Sequence, residues 1–316
     1  MGRNCTGNNL TPLLLILACA PGTAADSAAP AALAWPPDVA SFDCTATGIP
    51  ERITPVPWAC PTDRACAERL VSGHRGMGGD LGVIAPEDTL AGVRAAIAYG
   101  LDYVETDPRP TADDVLVNMH DTDVSRTTDG EGEVDQMTFD EVRALQIDSA
   151  RFTGDFACEV VPTLTEVLSE AKGRVHVLVD ANKTDRVDLL VAAILESGTL
   201  DEAIFDTSSV DKVLAALAIE PTLHVMIRPD DEAQLTEQLA SLMEHPPVIV
   251  EIPEEAPDLA AAVVASGNRA FSDVFFTDVR SLNTNSPSAY LDLYDQGLGI
   301  LQSERPERIL EVLERF

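Results

Sequence analysis

The stretch RLVSGHRGMGGDLGVIAPEDTLAGVRAAIAYGLDYVETD, Arg69–Asp107, decides how the rest of the chain is read. It opens on a short apolar run, passes through a glycine-rich loop, and enters EDTLAGVRAAIAYG, whose apolar spacing and closing Gly100 predict a helix. LDYVETD then predicts a second strand. A strand, a helix and another strand in this order predict two parallel strands joined by a crossover. His74 and Arg75 stand where the first strand becomes the glycine loop. In isolation such a pair reads equally well as a solvated turn or as part of a site.

The same alternation continues to the end of the chain. VLVNMHD reads as a third strand, followed by a polar loop, the segment TFDEVRALQ and the helix TLTEVLSEAKG. RVHVLVDAN, EAIFDTSS, LHVMIRP, VIVEIPE, DVFFTDVRS and LGILQSERP read as further strands, most of them separated by helices such as RVDLLVAAILESG. The last helix is PERILEVLERF. Near-continuous apolar strands imply a parallel sheet covered on both faces. About eight such units over roughly 250 residues predict an α/β (β/α)8 TIM barrel. Nine candidate strands make one surplus, and VIVEIPE is the expected extra. No G-x-G-x-x-G or Walker pattern follows a strand, which argues against dinucleotide and P-loop chemistry.

In such barrels sites form at the C-terminal strand ends, so polar residues should gather where apolar runs stop. His74 and Arg75 end the first run, Glu105 and Asp107 the second, His120 and Asp121 the third, and Asp180 the fourth. Glu105 and Asp107 lie two apart and so share a strand face. This convergence replaces the solvated-turn reading. Two imidazoles suit paired general acid and base work. Carboxylates gathered in this way suit a hard divalent cation, Ca²⁺ or Mg²⁺. An arginine fork suits a phosphate. Together they describe metal-assisted displacement at phosphorus.

Composition narrows the class. There are 53 acidic and 21 basic residues, a formal net charge of −32, which repels nucleic acid and anionic membranes. A salt-tolerant surface and a plain compositional bias both account for it. Residues 1–25 read as an export signal, with Arg3 ahead of TPLLLILACA. ILAC ending at Cys19 resembles a lipoprotein box, whereas ACA suits an ordinary signal peptidase. The expected location is periplasmic or extracellular, with membrane association only through a lipid on Cys19. Residues 26–69 read as a linker and extension, and 70–316 as the barrel. Cys44, Cys60, Cys66 and Cys158 then form an even set in an oxidising compartment, which predicts two disulfides with three connectivities open. The first three are expected to staple the extension onto the domain.

The motifs GHRG, PEDT, VETD, NMHD and SRTTDGEGEV, with VPTLTEVL and GILQSERPERILEVL, resemble those of the glycerophosphodiester phosphodiesterase family in order and spacing. The resemblance runs from about Val71 to the end, strongest to about Leu168 and weak between Val187 and Arg280. It implies a barrel with an insertion after the third strand, spanning Thr122–Val161. It implies His74 and His120 as the acid–base pair, Glu105, Asp107 and Asp180 as metal ligands, and Arg75 on the phosphate. The implied reaction cleaves a small-molecule glycerophosphodiester, such as glycerophosphocholine or glycerophosphoethanolamine, to glycerol 3-phosphate and an alcohol. In the family's usual route, a cyclic phosphate forms and is then opened by water.

Departures from the family pattern are local. Asp88 replaces an asparagine, Asp180 a glutamate, and QSE (Gln302–Glu304) a QTD or ITD. Asn182 stands where the family has lysine, with Lys183 one position later. Glu87 and Lys183 are expected to support the site, Glu87 by pairing with Arg75 or a neighbour. DTDVSRTTDGEGE is no calcium loop, because Arg126 occupies the required glycine position. His176, His224 and His245 are expected to pack or face solvent. A phospholipase-type enzyme would need an apolar rim that RFTGDF supplies poorly, and a silent binding lipoprotein would not need both histidines. The oligomeric state is left open.

Overall fold

The computed structural model describes residues 35–315. The residues expected to form an export signal, Cys19 and the start of the expected linker lie outside them.

The chain runs through β1 (Leu70–Gly73), α1 (Leu90–Tyr99), β2 (Tyr103–Thr106), β3 (Pro108–Pro110), β4 (Leu116–Asn118), α2 (Phe139–Arg143) and α3 (Leu164–Ala171). It continues as β5 (His176–Asp180), α4 (Val187–Ser197), β6 (Ala203–Thr207), α5 (Val210–Ile219), β7 (His224–Ile227) and α6 (Glu232–Ser241). The last third holds β8 (Ile249–Glu251), α7 (Leu259–Ala265), β9 (Arg269–Asp273), α8 (Phe275–Thr284), α9 (Ala289–Asp295), β10 (Ile300–Ser303) and α10 (Pro306–Val312). Eight strands close a parallel barrel in the order β1-β10-β9-β8-β7-β6-β5-β2, with β1 pairing β2. The (β/α)8 expectation holds.

Two strand assignments need correction. VIVEIPE is no surplus: it supplies β8, paired with β7 and β9. The surplus run is VLVNMHD, whose β4 pairs with β3 in an antiparallel hairpin outside the barrel and bridges Thr163 through Val117. The insertion therefore begins with its own third strand. A three-residue apolar strand on a hairpin and one in a barrel share the same local pattern. DVFFTDVRS is also not a strand. The barrel strand is the preceding RAFSD, and Phe275 begins α8. Val and Phe favour strands locally, but this helix buries Thr277, Asp278 and Ser281 and leaves Phe275 and Phe276 exposed.

One apolar residue from each barrel strand fills the lower interior: Leu70, Tyr103, Leu178, Ile204, Met226, Ile249, Phe271 and Ile300. Val56 and Cys60 of the extension belong to the same cluster and plug the barrel's N-terminal mouth. Tyr103 donates its hydroxyl hydrogen bond to Pro61 O (2.7 Å), and Arg269 Nη1 donates to Cys60 O (3.3 Å). His176 packs here too, its ring 4.2 Å from that of Trp58, and burial pushes its pKa down to about 3. It has a packing role, as expected. The disulfides are Cys60–Cys66, within the extension, and Cys44–Cys158, which ties the extension to the insertion. Helix ends follow local rules. Thr89 caps α1 at Gly92 N (3.1 Å), and Gly100 ends it with φ +80°. Thr163 and Glu166 form a capping box on α3.

Candidate active site

Side chains alternate along a strand, so residues two positions beyond the apolar layer also point into the barrel. They are Ser72, Glu105, Asp180, Asp206, Arg228, Glu251, Asp273 and Gln302, and every one is polar. The apolar interior thus stops at one level on all eight strands, and a polar floor begins. Gln302 accepts from Ser72 Oγ (3.3 Å) and donates to Asp273 Oδ2 (3.1 Å). Arg228 donates from Nε to Asp206 Oδ1 (2.8 Å), pairs with Glu251 (2.9 Å) and lies 3.8 Å from Asp180. Burial, opposed by Arg228 and reinforced by Asp206, pushes the Glu251 carboxyl up to about 8.

Glu105, Asp107 and Asp180 are buried, and one oxygen of each lies within 4.8 Å of the others. Burial and the neighbouring Asp107 hold the Glu105 carboxyl well above its ordinary range. Asp107 Oδ2 is buried and accepts no hydrogen bond, with Arg75 Nε 3.6 Å away. An all-oxygen set with an unsatisfied buried acceptor fits a hard divalent cation, which would bind through these three carboxylates. Asp180 is kept in place by Asn182, whose backbone N and Nδ2 both donate to its Oδ1 at 2.7 Å. Asn182 Oδ1 in turn accepts from Thr207 Oγ1, Ser208 N and Ser208 Oγ, each at 3.0 Å. Lys183 lies 3.3 Å from Asp107, so a lysine does reach the carboxylates from one position later.

The opening glycine loop is built by close approach. A Cβ on Gly73 would sit 1.9 Å from Gly76 O, and one on Gly78, where φ is +108°, would sit 2.2 Å from Glu304 O. Arg75 itself adopts a left-handed φ of +50°. That turn lets its backbone N donate to Glu105 Oε2 (2.9 Å) while its guanidinium reaches Glu87 (3.1 Å). The expected Glu87–Arg75 pairing is present, and Glu87 also takes Arg126.

His74 lies between two carboxylates. Its Nδ1 hydrogen-bonds Glu304, and its Nε2 lies 3.8 Å from Glu105 Oε2. Burial opposes the ring's charge, but the Glu304 hydrogen bond and the carboxylates of Asp273 and Glu105 push its pKa up to about 10. His120 follows the hairpin rather than a barrel strand, with Nδ1 2.8 Å from Asp121 Oδ1. Burial pulls its pKa down, opposed by Asp107 and Asp121. His74 borders Glu105 and His120 feels Asp107, so both rings address the same carboxylate group. Each has Nδ1 tied to a carboxylate, which leaves Nε2 free for proton transfer.

The sequence reading did not assign Glu304, Asp206, Arg228, Glu251 or Asp273. For the last four the signal was the two-residue step beyond each apolar barrel position, which is visible only once strand register is known; Glu304 lies past the end of β10.

The sequence model of the Glycerophosphoryl diester phosphodiesterase family matches residues 74–194. Glycerophosphodiester phosphodiesterase 1 of Homo sapiens is 34% identical over 176 residues, 51% of this chain and 51% of that protein. The Bos taurus protein of the same name is 42% identical over 111 residues, 35% of this chain and 31% of its own length. The chain thus spans between about a third and a half of these curated relatives. Among solved structures, a glycerophosphoryl diester phosphodiesterase of Parabacteroides distasonis shares the barrel with a TM-score of 0.71 at 19% identity, covering 81% of this chain and 90% of that one. An Oleispira antarctica phosphodiesterase, solved with the product sn-glycerol-3-phosphate, has a TM-score of 0.65 at 23% identity, covering 78% of this chain and 96% of its own. The matched segment holds Glu105, Asp107, Asp180 and both motif histidines, and over residues 74–194 the chain is similar to the glycerophosphodiester phosphodiesterase family.

Proposed function

We propose that this chain is an exported, metal-dependent phosphodiesterase that hydrolyses glycerophosphodiesters to glycerol 3-phosphate and an alcohol. The observation that carries the reading is the pair of carboxylate-bound histidines bordering one buried triad of Glu105, Asp107 and Asp180. The product bound to the Oleispira antarctica protein is the one this reaction would release. Ca²⁺ or Mg²⁺ held by the triad would neutralise the phosphate oxygens and lower the cost of charge building at phosphorus. Arg75, paired on one side with Glu87, presents its guanidinium beside Asp107, where a phosphate oxygen would sit. One imidazole takes the proton of the attacking hydroxyl or water, and the other returns a proton to the leaving alkoxide. Lys183 beside Asp107 offsets the excess of negative charge before substrate arrives.

Export rests on Arg3 and the apolar run ahead of Cys19, and the two disulfides suit an oxidising compartment. Among the described residues no helix is long and apolar enough to cross a membrane.

One observation favours a bulkier lipid as a second substrate class. Phe275 (40% exposed) and Phe276 (57%) open α8, one residue past the end of β9. Phe152 and Phe156 of RFTGDF, by contrast, are buried. The test is release of choline or ethanolamine from deacylated glycerophosphodiesters and from lysophospholipids, with added Ca²⁺, Mg²⁺ or EDTA. His74→Ala and His120→Ala should each lower release by about 10²–10⁴-fold. Wild-type protein inert on every diester with either ion would overturn the reading.

A further inference from the structure

His120 is carried by a hairpin that does not belong to the barrel, so strand register does not set where its ring sits. Its backbone is fixed locally. Arg109 donates from Nη2 to His120 O (2.6 Å) and from Nε to Met119 O (3.0 Å), and Met119 N donates to Asp107 O (3.0 Å). Its ring is held by a longer chain of contacts. Asp121 takes the ring's Nδ1 on Oδ1 and Arg126 Nε on Oδ2. Arg126 then donates from Nη1 to Glu87 Oε2 (2.9 Å) and Asp80 Oδ1 (3.0 Å), and from Nη2 to Glu87 Oε1 (2.6 Å). Glu87 Oε1 also accepts from Arg75 Nη1 (3.1 Å).

One guanidinium therefore uses all three nitrogens on carboxylates from two segments, its own insertion and the loop after β1. The signs alternate along the row: Asp121 negative, Arg126 positive, Glu87 negative, Arg75 positive. A lysine offers one nitrogen and cannot reproduce this fork. Glu87 is 4% exposed, so the bidentate pair is shielded on its far side.

We propose that Arg126 is a positioning residue that locks the His120–Asp121 pair of the insertion to the Glu87–Arg75 pair of the barrel. It thereby sets the distance between the proton-transfer ring and the phosphate-binding arginine. This rests on the phosphodiesterase reading for its catalytic consequence, but not for its geometry.

Two measurements on the full chain test it, each with the thermal midpoint of every variant recorded. In glycerophosphodiester hydrolysis, Arg126→Gln and Asp121→Asn should each lower kcat by about tenfold to a hundredfold with little change in KM. The double variant should lose far less than the product of the two, because both act through one linkage. Should Arg126→Gln fail to fold, Arg126→Met, which also removes the charge, takes its place. The second measurement is an NMR titration of the His120 ring, assigned by the signal lost in His120→Gln. The charged groups facing this ring are Asp121, Asp107, Arg75 and Lys183. Removing the Asp121 charge should move its midpoint down. Removing the Arg126 charge leaves Asp121 less neutralised and should move it up. Opposite shifts with a kcat-confined loss support the lock. Unmoved midpoints, or losses that multiply, overturn it. An inert wild-type enzyme overturns the activity reading instead, and the titration then decides the lock alone.

Discussion

Glu304, just past the last barrel strand, holds Nδ1 of His74 across the seam where β10 pairs with β1, 230 positions away in sequence. The same carboxylate accepts from Leu81 N (2.8 Å), so it fixes the ring and the glycine loop together. Glu304→Gln removes the charge while keeping the size. It is expected to lower kcat about tenfold, as when an orienting carboxylate is lost from a working imidazole. Steady-state kinetics beside a thermal melt checks this, and a fall in kcat only in step with unfolding would contradict it.

Asp180→Asn should weaken Ca²⁺ or Mg²⁺ binding, because one of three negative oxygen donors is neutralised. Calorimetric titration of the metal-free protein reads this without any substrate. EDTA should abolish hydrolysis in the wild type, and either ion in excess should restore it.

Asn182→Ala removes the side-chain donor Nδ2 to Asp180 Oδ1 and breaks the tie to Thr207 and Ser208 at the end of the next strand. The backbone donor survives, so the fold should stand. Metal affinity should drop by about 10- to 100-fold, the usual cost of losing a group that orients a ligand. Equal affinity in the two proteins would show that Asp180 is held by its backbone alone.

Asp278 accepts from Tyr290 OH (2.6 Å), Ser303 Oγ (2.6 Å) and Glu304 N (2.7 Å) beneath the seam. Burial outweighs these donors and pushes its carboxyl from 3.8 up to about 7. A raised carboxyl binds its proton more tightly folded than unfolded. Its contribution to stability is therefore full below pH 3.8 and is lost as pH rises towards 7. The stability difference between wild type and Asp278→Asn should change across that window, by no more than about 1.4 kcal/mol per pH unit. Denaturant unfolding at several pH values measures it, and a pH-independent difference would refute it.

Much of the site was legible in advance because local sequence carries strand ends well. His74, Arg75, Glu105, Asp107 and Asp180 each terminate an apolar run, and the polar residue at such a stop is visible without knowing the fold. His120 was placed in the site for a partly mistaken reason, since its run VLVNMHD is a hairpin and not a barrel strand. The second half of the floor was not legible. Asp206, Arg228, Glu251 and Asp273 sit in strands whose motifs resemble nothing strongly, and RAFSD was passed over for the more β-like DVFF.

From sequence alone came the alternation of strands and helices, the residue types for proton transfer and cation binding, and an even set of cysteines. These depend on neighbours a few positions apart, where spacing and side-chain chemistry act directly. The tertiary structure decided which eight strands close the barrel, which cysteines pair, and that Glu304 and Arg126 orient the two histidines. Those outcomes depend on strand register and on contacts between distant segments. A period-2 pattern leaves register undetermined until the barrel has closed and brought its first and last strands together.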